Sequence, residues 1–244
     1  MIDYNRNKFY ISSIEQESIK KCKLLFAGCG IGSNIAECAL RLGFEDITLI
    51  DGDTIEYTNL NRQNYSSRDV GQYKTMALQK RLLDINPDAS ISTHNIFLDH
   101  ANVHNVLTNH NIAINALDFQ SDIPFYFDEL CQQKRIPVLH PYNIGWATLL
   151  FIISPEGPNL KTISPEYQGF EKKVAAYLID NLDNESGNWI KDVLDKYEKN
   201  GQGQQPPQLA IGSWLAGGIC TNVLYKLATG QAVKYFPEFY FLTI

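Results

Sequence analysis

Apolar residues in this chain fall into short blocks, and the spacing within each block predicts its element. Lys23 to Ala27 is an apolar block of strand length that ends in a glycine-rich turn. Ile35, Ala36, Cys38, Ala39 and Leu42 then recur at helical spacing, and Asp46 to Ile50 forms a second strand stopped by Asp51-Gly52-Asp53. Strand, glycine turn, helix and strand in that order make the βαβ unit of a parallel sheet. A short helix over residues 13–22, carrying Ile14 and Ile19, leads into this unit. Residues 74–85 predict an amphipathic helix closed by Asn86-Pro87. Further strands are expected at Ser90–Phe97, Ile112–Ala116, Ile136–Leu139 and Ala147–Ile153, with a helix over about 121–134.

The pattern changes after Ser154-Pro155. Val174, Tyr177, Leu178 and Leu182, then Trp189, Ile190, Val193, Leu194 and Tyr197, mark two amphipathic helices. A polar linker, Lys199–Gln208, carries two glycines and two prolines and leads to a helix rich in small residues, Ile211–Leu227, and a closing strand at 238–243. The whole predicts one α/β domain over 1–244: a doubly wound, mostly parallel sheet with helices on both faces and a helical crossover insertion at 156–207.

Composition narrows the function classes. At 244 residues, with 44% hydrophobic and 20% charged residues, the chain can bury a full core and has the balance of a soluble globular protein. No apolar run reaches membrane-spanning length, and the polar start (Asp3, Asn5, Arg6, Asn7, Lys8) is not that of a signal peptide, so a cytoplasmic protein is expected. A net charge of −6 argues against nucleic acid as the main partner. It also means that an anionic ligand needs local positive charge. Five scattered cysteines (Cys22, Cys29, Cys38, Cys131, Cys220) form no CxxC pair, so no structural zinc is expected and the thiols read as reduced packing residues.

Candidate chemistry gathers between Leu24 and Asp118. Residues 28–33 read Gly-Cys-Gly-Ile-Gly-Ser, and Gly28, Gly30 and Gly32 offer close backbone approach to a phosphate at a helix N-terminus. Asp51, at the end of the second strand, is placed to accept hydrogen bonds from ribose hydroxyls, with Asp53 beside it. That much leaves NAD, FAD, another nucleotide or a merely tight turn open. Asn59-Leu60-Asn61-Arg62-Gln63 and Lys74 shift the reading, because a dehydrogenase needs no cations there. A triphosphate does, since attack on phosphorus builds charge that Arg62 and Lys74 can stabilise. Asp118 follows the apolar run 112–117 at a strand's C-terminal end, where one carboxylate plus substrate phosphates suits Mg²⁺; a helix N-cap before Pro124 is the structural alternative.

Ala27–Ser33, Asp51-Gly52-Asp53, Asn59–Gln63, Val70-Gly71-Gln72-Tyr73-Lys74 and Ala116-Leu117-Asp118 together resemble the ThiF/MoeB/HesA family, the bacterial relatives of ubiquitin-activating enzymes. Tyr4-Asn5-Arg6-Asn7 is similar to that family's N-terminal arginine motif, and 207–230 to its late glycine- and alanine-rich helix. The resemblance implies a Rossmann-like sheet and an ATP-dependent adenylyltransferase. Such an enzyme activates the C-terminal carboxylate of a small ubiquitin-like or sulfur-carrier protein, usually one ending in Gly-Gly. Residue by residue, it implies that Asp51 holds the ribose, that Asn59, Arg62, Gln63 and Lys74 grip the triphosphate, that Asp118 holds magnesium, and that Arg6 reaches across a two-fold homodimer into the partner's site. Ala27 and Cys29 stand where the family has glycines. Residues 132–219 contain no cysteine, although many relatives place a thioester- or persulfide-forming cysteine in the crossover, so no enzyme thioester is expected.

A non-catalytic family-like partner of a ubiquitin-like protein and an enzyme acting on a tRNA-borne carboxylate are the alternatives. His100 and His104, four apart on an expected helix, read as a solvated face. His140, at a strand end, is a candidate contact for the acyl group. The small-residue helix and the apolar strands are expected to leave surface that homodimer pairing would cover.

Overall fold

The computed structural model describes residues 2–182, 184–201 and 205–243. Residue 183 of the expected insertion and residues 202–204 of the expected linker lie outside that range.

Seven strands form one sheet in the order β3-β2-β1-β4-β5-β6-β7. The strands are β1 (Lys23–Ala27), β2 (Asp46–Ile50), β3 (Ser90–His94), β4 (Ile112–Asn115), β5 (Val138–Ile144), β6 (Ala147–Ile153) and β7 (Tyr240–Thr243). The first five run parallel, and β6 and β7 add antiparallel at one edge. The sheet is thus mostly parallel, as the blocks of apolar residues predict.

Eight α-helices are described: α1 (Ser13–Lys21), α2 (Gly32–Leu42), α3 (Lys74–Ile85), α4 (Val103–Val106), α5 (Ile123–Gln133), α6 (Phe170–Asn181), α7 (Asn184–Asn200) and α8 (Ala210–Ala228). Local chemistry sets several of their ends. The Ser12 side chain accepts from the Glu15 N–H while Glu15 reaches back to the Ser12 N–H, a reciprocal cap for α1. Helix α5 has Pro124 in its first turn, where the missing N–H costs no bond.

Two apolar layers sandwich the sheet. Ile19, Phe26, Leu40, Leu49, Leu78 and Val223 belong to one, under α1, α2, α3 and α8. Leu25, Phe127, Phe151, Phe170 and Leu178 belong to the other, under α5 and α6. Each such side chain, fully buried, contributes about 1.5–3 kcal/mol through removal from water.

Four expectations change. The strand expected at Ser90–Phe97 stops at His94, because its partner β2 ends at Ile50, opposite His94. The strand expected at Ile136–Leu139 runs on to Ile144 through Pro141, which has no N–H to donate. Strand β4 pairs with β5 only as far as Leu139, so no bond toward that side is lost at Pro141. His100 precedes the four-residue α4, so His100 and His104 do not share a helix. The small residues of α8 divide between two faces: Gly212, Ser213, Ala216, Gly217 and Cys220 are buried, with a Cβ on Gly217 3.3 Å from the Asn34 backbone oxygen of α2, while Gly218 is exposed along with Ile211 and Trp214. Smallness on the buried face serves close packing of α8 on α2 within one chain.

Candidate active site

Strands β1, β2 and β4 lie side by side and deliver the glycine turn, Asp51 and Asp118 to one edge of the sheet, at the carboxyl ends of the parallel strands. Gly28 has φ +98°, and a Cβ there would collide with the Ala116 carbonyl after β4. Strand β1 and the Ala116 segment therefore approach closely, with the Ala116 N–H donating to Ala27 O at 2.7 Å.

Asp51 is the organising acid. The Cys29 N–H donates to its Oδ2 at 2.7 Å, and the Asp53 N–H to its Oδ1 at 2.8 Å. Burial pushes its pKa up, while the Lys74 ammonium and the two backbone N–H groups pull it back. Lys74 opens α3 and is buried; its Nζ lies 2.7 Å from Asp53 Oδ2 and 4.0 Å from Asp51 Oδ2. Burial would lower the lysine pKa, but Asp51 and then Asp53 outweigh it and the net shift is upward, so Lys74 carries a charge.

The loop between Asp53 and α3 carries the other polar residues. Arg62 donates from Nη1 to Thr58 O and to Asn61 Oδ1, each at 2.9 Å, and from Nε to Gln208 in the segment before α8. Asn59 spends its Oδ1 on the Glu56 N–H at 3.0 Å, closing the turn Tyr57–Asn59. Gln63 lies against the glycine turn, its Nε2 3.3 Å from where a Gly30 Cβ would be, and its buried Oε1 has no partner.

Side chains that the sequence reading passed over hold this loop in place. Asn64 donates to Glu37 Oε2 at 2.6 Å, and its N–H donates to Ser33 Oγ at 2.9 Å. Glu37 also binds Arg81 and Arg41; burial alone would raise its pKa, but those partners bring it below the ordinary value. Tyr65 donates to Cys29 O at 2.7 Å. The available signal was Glu37, a charge within the apolar stretch Ile35–Leu42.

Asp118 follows β4 and has no hydrogen-bond partner among the described residues. Its pKa is raised, first by burial and then by Glu171, against the pull of Lys74 and Arg62. Glu171, in the first turn of α6, accepts from the Phe119 N–H at 3.3 Å, and Phe119 packs on Phe125 and Phe170. The crossover therefore touches the site through Glu171, and the segment that follows it does so through Gln208.

Two expected residues sit elsewhere. Arg6 lies exposed in the turn Asn5–Asn7, whose neighbours anchor on Leu42 O and Glu45, at the opposite edge of the sheet from Gly28 and Asp51. His140 is buried rather than presented to the cleft. Its Nε2 is 2.8 Å from both Asp128 oxygens, and Asp128 also accepts from Asn115 at 2.9 Å. This buried network tethers the end of β4 to α5 and removes His140 as a contact for the acyl group.

A buried lysine facing two acids, beside an arginine, a glycine turn and an aspartate with no hydrogen-bond partner among the described residues, is the kind of arrangement that a polyphosphate calls for. The ThiF family profile matches residues 4–243. The chain belongs to the ThiF family. Among its relatives, Escherichia coli molybdopterin-synthase adenylyltransferase is 31% identical over 105 residues, covering 42% of each chain. The SAMP-activating enzyme E1 of Haloferax volcanii is 25% identical over 138 residues, 56% of this chain and 51% of the relative. Ubiquitin-like modifier-activating enzyme 5 of Dictyostelium discoideum is 40% identical over 80 residues, 32% of this chain and 21% of the relative. The matches thus span about half of these relatives' lengths or less. In fold, the chain resembles E. coli MccB, crystallised with ATP, at a TM-score of 0.69 and 20% identity over 95% of this chain and 66% of that one.

Proposed function

We propose that this protein is an ATP-dependent adenylyltransferase. It activates the C-terminal carboxylate of a small ubiquitin-like or sulfur-carrier protein, or of a peptide, as an acyl-adenylate. The observation that carries the reading is the convergence of Gly28–Gly32, Asp51, Arg62, Lys74 and Asp118 at one strand edge in a ThiF-family chain. Adenylation needs the α-phosphorus exposed to a carboxylate and the leaving pyrophosphate stabilised. Asp51 accepts from the ribose hydroxyls. The turn's N–H groups and the positive end of α2 face the phosphates. Arg62 and Lys74 exchange their present partners for phosphate oxygens, the Gln63 amide donates to another, and Asn59 shapes the loop that carries them.

Asp118 fits magnesium. Its carboxylate has no hydrogen-bond partner among the described residues, and its raised pKa marks a charge that a cation would relieve. When bound, Mg²⁺ would neutralise phosphate charge. Asp53, now on Lys74, is released toward the cleft when Lys74 turns to a phosphate.

The site in one chain lacks Arg6, and a two-fold homodimer supplies it from the partner subunit. Support comes from the anchoring of Arg6 at the far sheet edge and from Phe9, Tyr10 and Ile14, which project beside it with relative exposures of 106%, 89% and 79%. No helix among the described residues is long and apolar enough to cross a membrane. We place the enzyme in the cytoplasm.

The test is ATP–pyrophosphate exchange by the purified protein, with and without a small carrier protein ending in Gly-Gly. Carrier-dependent, magnesium-dependent exchange is expected. Magnesium–ATP binding with no exchange toward any carrier or peptide carboxylate would favour the non-catalytic alternative.

A further inference from the structure

Beyond the end of β3 the chain leaves the sheet, and Phe97 is presented to solvent at 69% exposure. Its neighbours go the other way: Ile96 and Leu98 pack against the apolar layer that contains Phe127 and Phe151. The loop is fixed on both sides of the ring. Asn95 meets the Thr75 hydroxyl, Asn102 Nδ2 donates to Phe97 O at 2.9 Å, and Asp99 accepts from the Ala101 and Asn102 N–H groups at 2.8 Å. The exposed ring is therefore held outward by a pinned backbone.

The near side of that ring rests on Gly52, between the ribose acid Asp51 and Asp53. A Cβ on Gly52 would stand 2.6 Å from Cγ and Cδ2 of Phe97 and 2.8 Å from Cδ1. These atoms are the root of the ring, not a flexible tip, so only glycine at 52 leaves the ring this seat. A nucleotide whose ribose is held by Asp51 and whose phosphates face the turn at Gly28–Gly32 must direct its base away from the phosphates, past Gly52.

We propose that Phe97 is the base platform of this nucleotide site, stacking one face of a purine whose ribose Asp51 holds. The proposal rests on the ATP-site reading above and adds to it the residue that grips the base. Every base offers a π-face and aromatic stacking is tolerant of sequence, so Phe97 supplies affinity, and hydrogen-bonding groups elsewhere would choose among bases.

The test uses the full chain and two probes: 2-aminopurine riboside triphosphate, whose fluorescence stacking quenches, and inorganic tripolyphosphate, which has no base. Wild-type protein is expected to quench the bound probe. Phe97→Ala should abolish the quench and weaken probe binding by about 10-fold or more, the range for loss of one base–aromatic stack. Tripolyphosphate affinity should stay within about twofold, since no phosphate contact is touched, and Phe97→Trp should restore both quench and affinity. Because Phe97 is exposed, the alanine variant is expected to keep the wild-type Tm. If the wild type quenches the probe and Phe97→Ala does so equally, with equal affinity, the platform is overturned while the ATP site stands. If the wild type binds tripolyphosphate but neither the probe nor ATP, both are overturned.

Discussion

Replacing Lys74 by methionine removes one charge from a nearly dry site and leaves the stem that packs there. At 4.0 Å, the attraction between Lys74 and Asp51 is about 4 kcal/mol at an effective dielectric of about 20. The Asp53 contact, at 2.7 Å, is discounted because that carboxylate is half exposed; such pairs contribute about 0–1 kcal/mol. Relief of the lysine's own desolvation offsets part of the loss, and Asp51 keeps its two backbone N–H bonds. The net expectation is a destabilisation of about 2–3 kcal/mol at neutral pH, within the typical folding stability of about 5–15 kcal/mol.

The sign of the pH dependence follows from two raised pKa values. Asp51, raised above 3.8, contributes stability that is complete below its unfolded pKa and is lost as pH rises through its folded pKa. Without Lys74 that folded pKa climbs further, so the variant loses more on neutralisation than the wild type does. Lys74, raised above 10.5, contributes stability present below that value and lost as pH rises through its folded pKa. The gap between the two proteins should therefore be widest above the folded pKa of Asp51 and below that of Lys74, and should narrow in acid. Urea unfolding at pH 7.5 and pH 4.5 measures it. A gap under about 0.5 kcal/mol at pH 7.5, or one equal at both values, would refute the assignment of Lys74 as the charge that keeps Asp51 ionised. In the same variant, ATP–pyrophosphate exchange should fall by about 100-fold or more, the scale of removing one preorganised partner of a developing anion.

Asp118→Asn should cost magnesium-dependent exchange about 100-fold while nucleotide binding changes far less, and it should leave the stability of the nucleotide-free protein equal or higher, because its raised pKa marks an unfavourable charge. Mixing Arg6→Ala protein with Lys74→Met protein should recover part of the exchange activity, since mixed dimers hold one intact site; a mixture that dimerises and stays inactive refutes completion in trans. No thiol-sensitive adduct with the carrier should form on a nonreducing gel. Cys29, Cys131 and Cys220 are buried, their thiols pushed well above the ordinary range chiefly by burial, and Cys22 is raised to about 12. An adduct lost on mutating any one cysteine overturns that expectation.

The sheet was legible because apolar blocks and the stops after them are local signals. Helix α3 begins and ends where its spacing and Asn86-Pro87 place it. Strand lengths were less legible, since β3 and β5 end or continue according to whether a neighbour is there to bond. Asp51 and Asp118 could be found because each follows a strand's end, and Lys74 because it opens a helix. Asn64 and Tyr65 could not, because their roles arise from contacts 27 and 36 residues apart in sequence, and Glu37 showed only as a charge within an apolar stretch, without its partners. His140 misled for the same reason: position at a strand end is visible in the sequence, but the buried Asp128 that claims it, from a helix packed on the sheet, is not.

The glycine turn shows why a motif that departs from its family's pattern can still build the same site. Its residues answer to separate constraints. Gly28 is demanded by the fold, since its positive φ and the Ala116 carbonyl exclude a side chain whether or not a phosphate binds. A Cβ on Gly30 would stand 3.3 Å from the Gln63 amide nitrogen, a tight contact with a side chain that can shift, so the fold excludes a side chain less firmly here than at Gly28. Gly32 only touches the Phe26 ring at 3.5 Å, and there glycine is a matter of fit. Ala27 lies in β1 opposite Asn115 and Ile50, where a side chain is accommodated within the sheet. Cys29 is buried, its thiol 3.9 Å from Ile50 O, and its backbone gives the N–H to Asp51 and the carbonyl to Tyr65. The residues that replace family glycines therefore contribute backbone, not side chain, to the cleft. Under the proposed function, what the turn must supply is the N–H of Cys29 for Asp51 and a close approach at Gly30, and both survive the substitutions.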